Sequence, residues 1–99
     1  MYHSKLESEQ VDALFDAILS LKTREECYQL FDDLCTINEL KSMAQRMQVA
    51  SMLDEGVTYH DIAKQTGASS ATISRVNRCL AYGAEGYKLV FSRTGKEKP

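Results

Sequence analysis

The side chains best suited to chemistry lie close together in SSATISRVNRCL, residues 69–80, where a predicted helix turns Ser70, Ala71, Thr72, Ser74, Arg75 and Arg78 outward. Nearly all are short or basic. An exposed face with no task beyond solubility usually carries Glu and Lys. Short side chains let a helix backbone enter a DNA major groove, which is about 12 Å wide, while Ser, Thr and Arg offer hydrogen bonds to base edges and phosphates. The chemistry implied is recognition, without bond making. Just upstream, Tyr59, His60, Lys64 and Gln65 extend the polar surface, and Lys64 is set to meet backbone phosphates.

The elements that must position these residues occupy 58–80, TYHDIAKQTGASSATISRVNRCL, which reads as helix, glycine-centred turn and helix. Ile62, Ala63, Ile73 and Val76 face inward, and Ala63 is small enough for a second helix to cross close by. Gly67 begins the turn. Leaving one helix and starting another steeply within a few residues needs a left-handed backbone conformation, which glycine adopts at little cost. Thr58 caps the first helix, with Asp61 reaching back, and Ser69 or Ser70 caps the second. The plainer reading of the pattern is a helical hairpin packed in a core.

Upstream, Thr23 with Glu26 and Thr36 with Glu39 repeat the capping-box spacing and mark two more helix starts. Val11, Leu14, Phe15, Ile18 and Leu19 predict an amphipathic helix between about residues 8 and 21. Cys27, Tyr28, Leu30, Phe31 and Leu34 predict a second over 24–34, and Leu40, Met43, Ala44, Met47, Ala50 and Leu53 a third over 37–53. No strand pattern appears, so the fold class is all-α. After Arg78 the helix continues to about Tyr82. Tyr87, Leu89, Val90 and Phe91 are ambiguous between a helical turn and an extended docking segment. Residues 1–7 read as an arm, and 92–99 as a mobile tail. Phe15, Ile18, Tyr28 and Phe31 are more apolar surface than a 99-residue monomer readily covers, which points to a homodimer.

The net charge of −2 argues at first against a nucleic-acid partner, because phosphate contacts supply most non-specific affinity. The distribution reverses that impression. Residues 1–57 hold five Lys or Arg against eleven Asp or Glu, net −6, whereas residues 58–99 hold seven against three, net +4. A basic half bearing the outward helix suits a protein with one surface turned to DNA. Cys27, Cys35 and Cys79 form no C-x-x-C pair, so neither a disulfide framework nor a metal site is expected, and the thiols read as buried. The two histidines, His3 and His60, stand in no catalytic motif, no glycine loop suits phosphate cradling, and no cofactor is implied. An enzyme is therefore not expected. With no signal-peptide stretch and no membrane span, the expected location is the cytoplasm.

The segment TINELKSMAQRMQVASMLDEGVTYHDIAKQTGASSATISRVNRCL resembles the core of the tryptophan repressor family, with GASSATISR matching the family's GAGIATITR. The GYKLVF ending points to its YerC/YecD, Trp-repressor-like branch. The resemblance covers residues 8–91. It implies a Trp-repressor-like helical bundle, an intertwined homodimer whose dimerisation helices lie in 8–57 and whose helix-turn-helix is 58–80. It also implies a repressor that binds operator DNA through the second motif helix.

In tryptophan-binding members two arginines sandwich the indole, and a loop holds the carboxylate side. Arg46 and Arg75 fall on the arginine positions and Thr36 on the loop threonine. Val76 stands where those members have a glycine beside the ring, and Cys79 replaces the serine that meets the amino group. The first change fills space and the second weakens a polar partner, so tryptophan binding is not expected. Another small ligand, or none, stays open. Arg46 is then free to pair with an acidic residue of the first half, and Arg75 to contact phosphate or close the vacant pocket. The family's basic contact near the start of the first motif helix is replaced here by His60, which implies a different operator. The competing reading is a helix-turn-helix adaptor that binds a protein partner and no specific DNA.

Overall fold

The computed structural model describes residues 1–94, which form six helices and, among the described residues, no strand. They fall into two compact units, residues 1–37 and residues 38 onward. None of the helices is long and apolar enough to cross a membrane.

The first unit carries α1 (Glu9–Leu19) and α2 (Arg24–Leu34). Ser8 caps α1 by accepting from the Val11 amide at 3.1 Å, and Thr23 caps α2 by accepting from Glu26 at 3.0 Å. The Glu26 carboxylate accepts from the Lys22 amide at 2.8 Å, so the return arm of this box lands one residue before the cap. Neither helix buries a single residue within the chain. Val11, Ile18, Leu30 and Phe31 are half-buried, while Phe15, Leu19, Tyr28 and Leu34 are exposed. The amphipathic pattern made the helices, and it left their apolar side open.

The second unit holds α3 (Ile37–Asp54, its first residue excepted), α4 (Tyr59–Thr66), α5 (Ser70–Tyr82) and α6 (Gly86–Thr94). Its core is Val49, Ala50, Ile62, Ala68, Ile73, Val76 and Leu80, with Met52, Leu53, Val57, Ala63, Tyr87 and Phe91 packed against it. The 3.6-residue period explains α5: Ile73, Val76 and Leu80 fall on one side at steps of three and four. On α3 the predicted stripe is corrected. Ala44 and Met47 are exposed and Leu40 and Met43 only half-buried, whereas Val49, which the stripe omitted, is closed off with Ala50. The helix has apolar residues on more than one side, and its neighbours choose which side is buried.

Gly67 ends α4 with φ +75° and donates its amide to the Ala63 carbonyl at 2.9 Å. A Cβ added there would meet nothing within 4 Å, so any cost of substitution is conformational. Gly67→Ala is expected to lower stability by about 1–2 kcal/mol, and Gly67→Asn by less, because Asn visits the left-handed region more readily. Urea unfolding of the three proteins checks the order, and equal stabilities would contradict the turn.

The ambiguous segment after Gly83 is helical. Tyr87 and Phe91, four residues apart, stack with ring centroids 6.4 Å apart and pack on the core, while Leu89 and Val90 point outward. Helix α6 also takes in Ser92, Arg93 and Thr94, which corrects the tail expected from residue 92. Residues 95–99 of that tail lie outside the described residues. The expectation of buried thiols fails as well. Cys27 and Cys79 are exposed and Cys35 is half-buried, because α2 buries nothing and Cys79 lies on the outer flank of α5.

Candidate nucleic-acid interface

Helices α4 and α5 pack together, and their outer surface carries the residues singled out from the sequence. Thr58 caps α4 by accepting from the Asp61 amide at 3.2 Å, which places Tyr59 and His60 in the first turn. Tyr59 is 42% exposed, and His60 and Lys64 are exposed. After the turn, Ser69 is the residue that caps α5, and it accepts from the Thr72 amide at 3.1 Å. Ser70, Ala71, Ser74, Arg75 and Arg78 are exposed along α5, and Thr72 is half-buried. The first turn of α5 holds no acidic residue, so no fixed negative charge stands at its N-terminus.

The cap also engages the Thr72 side chain. The Ser69 hydroxyl donates to the Thr72 hydroxyl at 3.1 Å, closing a small ring with the cap bond. Thr72 Oγ1 accepts this bond and keeps its own proton as a donor.

Of the residues at the family's ligand positions, Arg46, Arg75, Val76 and Cys79 belong to the second unit and Thr36 to the first. Val76 is 1% exposed and belongs to the core with Ile73 and Leu80. Arg46 is half-buried and donates from Nη1 to the Ser42 hydroxyl of its own helix at 2.9 Å. Arg75 and Cys79 are exposed.

Sequence reasoning missed Thr66. Its hydroxyl donates to the Ile62 carbonyl at 2.7 Å and accepts from the Ala68 amide at 3.1 Å, so one side chain ties the last turn of α4 to the connector. It also missed Gln45 of α3, whose Nε2 donates to the Thr66 carbonyl at 3.2 Å. A Thr before a helix-ending Gly was a legible signal for the first. No spacing rule links residues 21 apart, so nothing signalled the second.

Two short helices joined through a left-handed glycine, the second presenting hydroxyls and guanidinium groups to solvent, define a helix-turn-helix protein. Residues 9–95 match the Trp repressor protein family, and the chain belongs to it. It is 59% identical over 93 residues to the uncharacterized protein YerC of Bacillus subtilis strain 168, covering 94% of this chain and 89% of that one. Its fold is similar to a TrpR-like protein from Eubacterium eligens, with TM-score 0.91 and 57% identity over 96% of this chain and 98% of the other. It is also similar to a candidate Trp repressor from Staphylococcus aureus, with TM-score 0.90 and 53% identity over 96% and 95%. The family is one of regulators and not of enzymes.

Proposed function

We propose that this protein is a homodimeric, sequence-specific DNA-binding transcriptional repressor that reads a palindromic operator with α5 and does so without tryptophan. The observation that carries the reading is the outer face of α5, where exposed Ser70, Ser74, Arg75 and Arg78 are mounted on a helix whose other side is anchored by Ile73, Val76 and Leu80. Arg75, Arg78 and Lys64 supply phosphate contacts, and Ser70, Ala71, Thr72 and Ser74 the approach to base edges. Tyr59, His60 and Ser69 flank them at the starts of the two helices.

The homodimer is supported by the open side of the first unit, where Phe15 is 54%, Leu19 80% and Tyr28 60% exposed. Covering such a surface with a second copy stabilises by roughly 25 cal/mol per Å² of apolar area. Two-fold symmetry then sets two copies of α5 in successive major grooves roughly 34 Å apart. Occupying such a site in the cytoplasm excludes polymerase. Independence from tryptophan is supported by Val76, whose side chain is used in the protein's own core, and by Cys79 at the amino-group position. Arg46, Arg75 and Thr36 are then a vestigial constellation.

The test is selection of the protein against random duplex DNA, with and without tryptophan. An enriched palindrome with half-sites about one helical turn apart, equally enriched in both conditions, is the expected result. Enrichment only with tryptophan would restore a working ligand site. No enrichment in either condition would overturn the proposal in favour of a protein-binding adaptor.

A further inference from the structure

Helix α4 ends at Thr66, and the carbonyls of its last turn have no partners further along the helix. The Ala63 carbonyl takes the Gly67 amide. The Thr66 carbonyl, partly buried, takes the amide of Gln45 from α3. Gln45 precedes Val49 by one helical turn, so a single side of α3 supplies both a core residue and this donor. The bond continues into a chain: Thr66 Oγ1 accepts from the Ala68 amide, Ala68 is itself core, and Ser69 beside it caps α5.

Apolar packing sets how closely helices approach but is not directional, whereas a hydrogen bond to a carbonyl is. The core of Val49, Ile62 and Ile73 holds α3, α4 and α5 together, and the Gln45 bond adds a directional constraint on their relative rotation to that packing. We infer that Gln45 is a positioning residue that sets the orientation of α5 relative to α3 by holding the Thr66 carbonyl at the start of the turn. On the function proposed above, this makes Gln45 a determinant of sequence discrimination although it contacts no DNA. A swivelling α5 still meets phosphates with Arg75 and Arg78, but it brings Ser70, Thr72 and Ser74 to base edges only part of the time.

Gln45→Met keeps the side chain's length and removes its donor. Two readouts decide the matter. Residual dipolar couplings of the α3 and α5 amides in the labelled full chain report their relative orientation without DNA, and the variant should show a changed or averaged α5. Couplings identical to the parent's would overturn the inference, whatever the protein binds. The ratio of affinities for a selected operator and for random duplex should fall about tenfold, with affinity for random duplex and the unfolding midpoint near those of the parent; tenfold corresponds to about 1.4 kcal/mol. A purely structural role would lower the midpoint and leave the ratio unchanged, and that result would also overturn it. Gln45→Glu, isosteric but presenting a carboxylate to the carbonyl, repeats both readouts should the Met variant fold poorly, with the same results expected. If the parent itself selects no operator, the proposed function fails, and the couplings still decide whether Gln45 sets the orientation.

Discussion

Ile73→Ala should destabilise the protein by about 2–5 kcal/mol, the range for emptying a closed aliphatic site. Ile73 is 1% exposed and, among the described residues, is one of the four largest fully buried side chains, with Ile62, Val49 and Val76. Such a small core has few neighbours able to move into the space left behind. Against a typical total stability of about 5–15 kcal/mol, the loss removes much of the margin. Ser74→Ala, one residue along and exposed, should stay within about 0.5 kcal/mol. Urea unfolding at one fixed protein concentration makes the comparison, since the proposed dimerisation would couple stability to concentration. A loss below about 1 kcal/mol at Ile73 would mean that α5 is not packed as described.

Arg78→Ala should weaken binding to every duplex, selected or random, and flatten the salt dependence. Each phosphate contact contributes about 0.9 to the slope of log K against log salt, so the proposed dimer, losing one contact per protomer, loses about 2. Charge-assisted hydrogen bonds are worth about 1.5–3 kcal/mol each, so the fall at low salt should exceed tenfold. Thr72→Ala is the contrast. It removes the hydroxyl held beside Ser69 and should relax preference at one base pair of each half-site while keeping the salt slope. Titrations over a salt series separate the two behaviours. An Arg78→Ala protein with the parent's slope and affinity would remove α5 from the DNA interface.

The two changes probe opposite sides of one helix, and both sides were legible in the sequence. Ile73 and Val76 were assigned inward from their spacing, and both are buried. Thr23 and Thr58 cap as their positions predicted, and of the two candidates Ser69 and Ser70 it is Ser69 that caps α5, because capping joins residues two or three apart and needs nothing from the rest of the fold. The left-handed Gly67 was legible for the same reason, since the sharp stop between two periodic segments left few other solutions.

Distance along the chain limited the rest. The ambiguous GYKLVF segment became a helix because Tyr87 and Phe91 find a core made by residues far before them. The buried side of α3 is not legible because its apolar residues go round the helix, and only the core assembled from the later helices determines that Val49 and Ala50 are enclosed while Met47 is not.

What the sequence by itself determined is therefore local: the helices, their caps, the glycine turn, the two sides of α5 and the resemblance to a family, all carried by short-range periodicity and hydrogen bonding. What only the tertiary structure decided is which side of α3 is covered, that the segment bearing Tyr87 and Phe91 is a helix on the core, and that Gln45 holds the turn from 21 residues away. Those outcomes depend on directional bonds and close packing between segments that meet only once the chain has folded.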